Sequence, residues 1–210
     1  MDKTGICNMA IGHLGSSSFI ATIDEQSNEA RACRIFYDNA RDRVLSEIPW
    51  GFAKSYADLQ DISSPPSGWL YRYRYPVDCL FVRAVTEEGI VPVVADYFNM
   101  SQLEYINRDS FEVIEDEAGG GLAICTNIRE ATITYTKRVT ADGLFPVLFR
   151  DALGWSLAMD IGPVLAAVAK MVETAGAMYR SSLLNAAAHS MNESRDSLLN
   201  RESEFITARG

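Results

Sequence analysis

The spacing of the apolar residues changes twice along this chain, and this change constrains the fold more than any other feature. Between residues 27 and 48 apolar side chains recur every three or four residues, which is typical of a packed helix: Ala30, Cys33, Tyr37, Ala40, Val44 and Ile48. From Trp69 to Tyr75 the aromatic side chains take every second position, which indicates a strand. After Asp142 the helical spacing returns. The chain therefore predicts helices at both ends and strands between them.

Four helices are expected. The first covers residues 2–14 and ends at Gly15, and the second begins after Ser27 as its N-cap and stops before Pro49. The third carries Leu148, Ala152, Trp155 and Met159 on one face. The fourth follows Gly162, with Pro163 in its first turn, and its apolar stripe is Leu165, Val168, Val172, Ala175, Tyr179, Leu183 and Ala186.

The middle of the chain is expected to form strands. Besides 69–75, strands are predicted at 79–86, 91–95, 111–115, 122–126 and 131–138, with Gly119–Gly121 as a tight turn. Residues 54–68 are read as a polar connection, because they end in a Ser-Pro-Pro-Ser-Gly turn.

These patterns predict an α+β fold. The N- and C-terminal helices form an antiparallel-like helical bundle, since a lone amphipathic helix is unstable in water, and a mainly antiparallel β subdomain is inserted between them. The expected boundaries are 1–68 and 141–195 for the bundle, 69–140 for the β subdomain and 196–210 for a C-terminal tail. Trp50, Phe52, Trp155 and Tyr179 are expected in the core of the bundle.

Charge and hydropathy argue against two broad classes of partner. Of 210 residues, 19 are basic and 28 acidic, so the formal net charge of −9 argues against extended binding of a phosphate backbone. No apolar run approaches the roughly 20 residues that cross a bilayer, and Met1-Asp2-Lys3-Thr4 lacks the basic start of a secretory leader. We therefore expect no membrane contact and a protein kept in a cytoplasm.

Residues with metal-binding or catalytic chemistry are few. The four cysteines Cys7, Cys33, Cys79 and Cys125 are widely spaced, so they are expected to be reduced and buried rather than zinc ligands. The two histidines are His13, expected to act at a helix C-terminus, and His189, expected to pair with Glu193. No nucleophile motif, phosphate-binding loop, cofactor site or metal site is predicted, and the chain is not expected to be an enzyme.

Two alternatives remain open at this point. The acidic cluster Glu112, Glu115, Asp116 and Glu117 could supply the carboxylates of a tail-associated cell-wall hydrolase, or it could be a solvated hairpin tip. Tyr71, Tyr73 and Tyr75, alternating with Arg72 and Arg74, could stack on the bases of single-stranded nucleic acid, or their rings could face the core.

A series of short motifs, taken in order, resembles the tail tubular protein A family, the head-to-tail adaptors or gateway proteins of short-tailed phages (podoviruses) and related prophages. The motifs are Asn8-x-Ala10-Ile11-x-x-Leu14-Gly15, Ser27-x-Glu29-Ala30, Tyr37-Asp38, Arg41, Pro49-Trp50-Gly51-Phe52-Ala53, Gly68-Trp69, Tyr75-Pro76-x-Asp78-Cys79-Leu80, Ile124-x-Thr126-Asn127, Tyr135 and Phe149-x-x-Ala152-Leu153-x-x-x-Leu157-Ala158. They span nearly the whole chain.

The resemblance implies a structural virion protein without catalytic residues. Members form homo-oligomeric rings, commonly dodecamers, that join the portal protein to the tail nozzle protein (tail tubular protein B-like) and surround the passage for DNA. It further implies that the helical part and the tail contact the portal and the β part contacts the nozzle. The location implied is the phage tail in the virion, and the host cytoplasm before assembly.

The C-terminal tail holds isolated apolar residues among charges. Leu198, Leu199, Phe205 and Ile206 are too sparse to form a core, and such spacing suits anchoring in a partner's groove. A disordered end with incidental apolar residues is the alternative. These four residues are the predicted contacts with the portal.

Overall fold

Over its described residues the protein folds into a mixed α+β structure with four α-helices and two three-stranded antiparallel sheets. It is described here from a computed structural model, which covers residues 1–87, 111–116 and 119–193, the last four as backbone. The chain divides into two compact units. The helical unit is Met1–Phe52 with the described residues from Ala141 onward, and the sheet unit is the described part of Ala53–Thr140.

The helical unit contains α1 (Lys3–His13), α2 (Asn28–Glu47), α3 (Val147–Ile161) and α4 (Ala169–Glu193). α3 is the central helix, because each of the other three packs against it. Its sequence explains that position, since apolar residues occur around much of its circumference and are buried: Phe149, Ala152, Leu153, Leu157, Ala158 and Ile161.

Local signals set the ends of the first two helices as expected. Ser27 is the N-cap of α2, and its side chain accepts a hydrogen bond from the backbone N–H of Ala30 at 3.2 Å. Gly15 follows α1 with φ of 77°, a left-handed conformation that glycine adopts without a Cβ clash. Ala30, Cys33, Tyr37, Ala40 and Val44 of the predicted α2 stripe are buried, whereas Ile48 follows the helix as its C-cap and is half-buried.

An aromatic cluster closes one end of the helical unit. Trp50 is 4% exposed, and its ring packs edge-on against Phe149 with centroids 5.0 Å apart. Phe52 packs against Phe149 and Phe145 but remains half-buried. Tyr179 is buried, whereas Trp155 is half-buried because its ring covers the end of α1 rather than entering the core.

The sheet unit contains six strands among the described residues, three in each sheet. One sheet has the order β1–β6–β3 and the other β2–β5–β4. The strands are β1 (Lys54–Asp58), β2 (Tyr71–Arg74), β3 (Cys79–Glu87), β4 (Phe111–Asp116), β5 (Gly121–Thr126) and β6 (Ala131–Lys137).

One buried cluster joins the two sheets. Tyr73 and Ile124, which are register partners in one sheet, contribute to the same core as Val82, Ile133 and Tyr135 of the other. Inward and outward side chains alternate along β6, so Ala131, Ile133 and Tyr135 face this core. The predicted strands at 79–86, 111–115, 122–126 and 131–138 are confirmed to within about two residues.

Two expectations about the chain's organisation are wrong. Residues 54–58 are not a polar connection but strand β1, which pairs antiparallel with β6. Because β1 belongs to the sheet unit, the two units divide after Phe52 rather than after residue 68.

The fourth helix does not begin at Pro163. Residues 162–166 form turns with Ala166 at φ of 51°, and helix α4 starts at Ala169. Val168 is 70% exposed instead of lying on the buried stripe of α4. The predicted strand at 91–95 lies outside the described residues.

Candidate assembly interface

Helix α4 is held in the helical unit by two polar contacts on its inner side. The hydroxyl of Tyr179 donates to the Glu47 carboxylate of α2 at 3.2 Å, and the hydroxyl of Ser182 donates to the Asp151 carboxylate of α3 at 2.6 Å. Burial, together with the negative charge of Glu47, raises the pKa of Tyr179, so its hydroxyl stays protonated and remains a donor. These contacts fix which face of α4 points outward.

A second polar cluster fixes α2 to α3. The guanidinium of Arg43 donates to the Asp160 carboxylate at 2.6 Å and to the hydroxyl of Ser156 at 2.6 Å. Ser156 is fully buried and Asp160 is mostly buried, so this pair is shielded from solvent more than a surface salt bridge is. The helices that support α4 are therefore themselves tied together by directional bonds.

The outward face of α4 carries little charge, and its exposed apolar side chains lie among the exposed polar residues Arg180, Ser181 and Asn185. Residues 174–188 contain one charged side chain, Arg180, although much of this stretch is exposed. Leu184 is 63% exposed and Met178 is also exposed, while Ala177, Ser181 and Ala188 add small side chains beside them. A solvated helix face normally carries many charges, and an apolar surface rimmed by polar residues marks a contact with another molecule. We call this surface the α4 face.

Further apolar side chains are exposed near the α3–α4 turn. Val164, Val168 and Met171 lie in or just after this turn, and Phe19 lies in the loop after α1. The side chain of Met171 lies close to Gly15, and the ring of Phe19 lies close to Gly12. The end of α1 is thus bordered by exposed apolar groups, which we call the turn patch.

The residues predicted to bind the portal, Leu198, Leu199, Phe205 and Ile206, lie outside the described part of the chain, as does the tail 196–210. The α4 face was not singled out from the sequence. The sequence signal for this face is the low charge of 174–188, where Arg180 is the one charged residue, but spacing alone does not show which side of the helix stays exposed.

The acidic cluster does not form a facing pair of carboxylates in β4. Glu112 accepts a hydrogen bond from the indole N–H of Trp69 at 3.0 Å, and Asp116 is in an ion pair with Arg72. Glu115 is exposed and, by strand alternation, lies on the opposite face from both. Glu117 lies outside the described residues. Glycoside hydrolysis needs two carboxyl groups that flank one bond, which the described members of this cluster do not offer.

The tyrosine-rich strand turns its rings toward the core. Tyr73 is 2% exposed, and its hydroxyl donates to the backbone carbonyl of Ile128 at 2.9 Å. Tyr71 and Tyr75 pack against the same core cluster. A base can stack only on a ring face that solvent reaches, so Tyr73 is not a stacking platform.

The cysteines are buried free thiols, as the sequence indicates. Burial raises the pKa of Cys79 and Cys125. Cys7 of α1 and Cys33 of α2 hydrogen-bond to each other, and this bond, followed by burial, raises the pKa of Cys7. Across the described residues, no group of three or more His, Cys, Asp or Glu side chains is placed to hold a metal ion.

His13 is the last residue of α1, as predicted, whereas His189 is exposed on α4.

In the described part of the chain, no helix is both long and apolar enough to cross a membrane.

Comparison with known proteins gives no independent assignment. No protein-family model matches this chain, and no curated protein matches it.

Proposed function

We propose that this chain is a structural virion protein, a head-to-tail adaptor that joins the portal protein to the tail nozzle protein of a short-tailed phage or related prophage. It acts as a homo-oligomeric ring, a dodecamer when assembled, and forms part of the passage through which DNA leaves. It is not an enzyme and carries no cofactor. It is found in the virion's tail, and in the host cytoplasm before assembly.

The α4 face is the observation that carries this proposal. It combines exposed Leu184 and Met178 with small side chains and a single charge in 15 residues, 174–188. Small side chains allow another backbone to approach closely, and the missing charges avoid a desolvation cost when the surface is covered. An obligate structural partner suits such a surface better than a transient one does.

The architecture that we propose for assembly is a helical bundle with an inserted, mainly antiparallel β subdomain. In this arrangement the helical unit and the tail residues Leu198, Leu199, Phe205 and Ile206 contact the portal, and the sheet unit contacts the nozzle protein, which is tail tubular protein B-like. The division of the chain into a helical unit and a sheet unit supports two separate contact surfaces.

The overall charge supports the idea that DNA passes the ring without binding to it tightly. At a formal net charge of −9, the chain repels a phosphate backbone on average, so DNA would pass through the ring without sequence-specific binding.

The test is assembly with the portal protein of the same phage or prophage. The wild-type chain should form rings on portal particles in electron micrographs. Leu184→Lys places a charge on the α4 face, and covering that charge in an interface should weaken portal binding at least about tenfold.

Ile35→Lys is the matched control, because Ile35 is an exposed apolar residue of the helical unit on α2 rather than α4. It should bind portal like the wild type. Portal binding by Leu184→Lys at the wild-type level would remove the α4 face from the interface, and failure of the wild-type chain to bind portal would refute the adaptor function.

A further inference from the structure

His13 and Trp155 form a close contact between α1 and α3. Their rings are stacked, with centroids 3.4 Å apart and planes 8° from parallel. His13 is the last residue of α1, and Leu14, which follows it, is buried in the helical unit. The stack therefore holds the C-terminal turn of α1 against the middle of α3.

The imidazole has one nitrogen without a partner. Within the described part of the chain, Nε2 of His13 is buried and has no hydrogen-bond partner. The charged group that acts on the ring is the carboxylate of Asp151, which lies one helical turn before Trp155 on α3. On the α4 side, Ser182 donates to that same carboxylate.

Opposing effects act on protonation of this ring. Burial is the largest of them and disfavours the imidazolium, whereas Asp151 favours it. The Trp155 face and the C-terminal end of the α1 dipole also favour a cation. Burial prevails, so the pKa of His13 lies below the ordinary histidine value. A protonated Nε2 would carry a buried N–H without an acceptor, which is costly.

We propose that the His13–Trp155 stack is a pH-sensitive latch, in which neutral His13 holds the end of α1 on α3 and protonation of Nε2 releases it. The released state binds the proton more readily than the latched state does. The stabilising contribution of the latch is therefore fully present above the ordinary histidine pKa of about 6.5 and falls as the pH drops below that value. This inference is independent of the adaptor function.

Release would act on the turn patch, because the side chains of Phe19 and Met171 lie close to Gly12 and Gly15 at the end of α1. Moving this turn away from α3 would change which apolar side chains the patch presents. Acidification would thus alter a contact surface without unfolding the whole helical unit.

The first experiment is a histidine titration by NMR on the full chain. The protein has two histidines, so the ring signal of His13 is assigned by its absence from His13→Phe and by its retention in His189→Gln. We expect the midpoint of the His13 signal below about 6.5. A midpoint at or above that value would overturn the latch.

The second experiment measures protection of backbone amides from hydrogen exchange at about pH 7.5 and about pH 5.5. In the wild type and in His189→Gln, amides from Ala10 to Leu14 should lose protection at the lower pH relative to those of α2. His13→Phe keeps an aromatic ring but cannot be protonated, so the loss should disappear. An equal loss in His13→Phe, or no loss in the wild type, would refute the proposal.

Discussion

At the scale of single residues, two tryptophans make similar hydrogen bonds in different surroundings. The indole N–H of Trp50 donates to the backbone carbonyl of Val44 at 2.7 Å in a buried site. The indole N–H of Trp69 donates to the Glu112 carboxylate at 3.0 Å where solvent reaches both groups. Water can replace the second bond but not the first, so their contributions to stability should differ.

Trp50→Phe should lower the free energy of unfolding by about 2 kcal/mol, because it removes a buried donor and leaves space beside Phe149. Trp69→Phe, the matched control, should cost less than about 1 kcal/mol. Urea unfolding followed by circular dichroism measures both. Equal costs for the two variants would contradict the burial difference.

At the scale of elements, the α3–α4 turn decides where α4 can lie. Gly162 ends α3 in a helical conformation with φ of −53°, and it lies against Val172 of α4 and Leu14 after α1. A Cβ at this position would lie 2.7 Å from Val172 Cγ2 and 3.0 Å from the carbonyl oxygen of Ala158. The close approach of these three segments therefore requires glycine for space rather than for backbone freedom.

Gly162→Ala should destabilise the protein by about 1–2 kcal/mol, since the overpacking exceeds the gain in helix propensity. Gly51→Ala is the control, because a Cβ at Gly51 would meet no atom within 4 Å. Its melting temperature should stay near that of the wild type. If both variants melt alike, α3 and α4 are not packed as closely as described.

At the scale of the whole molecule, folding and assembly should depend on different parts of the chain. The described helices already bury a continuous set of apolar side chains around α3. The tail residues predicted to anchor in the portal, by contrast, are sparse and spaced among charges. Stability of the free subunit and affinity for the portal should then be separable by truncation.

Deleting residues 197–210 should leave the melting temperature of the free subunit nearly unchanged and remove portal binding, because Leu198, Leu199, Phe205 and Ile206 are lost together. Calorimetry and co-sedimentation with portal particles measure the two effects. Portal binding by the truncated chain would refute the tail anchor and leave the adaptor proposal to rest on the α4 face.

The sequence by itself determined the elements whose signals are local. The α2 stripe, the Ser27 cap, the Gly15 stop and the glycine turn between β4 and β5 each depend on residues a few positions apart. The alternation in β2 likewise predicted which side chains could face a core, and Tyr73 does. Such features follow from backbone geometry and side-chain spacing, so they are visible without knowing the fold.

Tertiary structure determined the features that depend on residues far apart in the sequence. Lys54–Asp58 is a strand because β6, more than 70 residues later, supplies its hydrogen bonds. The contacts of Val172 with Gly162, and of Tyr179 and Ser182 with α2 and α3, place α4 and so select its exposed face. Likewise, His13 lies on Trp155 only because α1 packs on α3. Spacing in the sequence shows that a helix has an apolar side. Which side of that helix stays exposed depends on the positions of all its neighbours, so only the tertiary structure shows it.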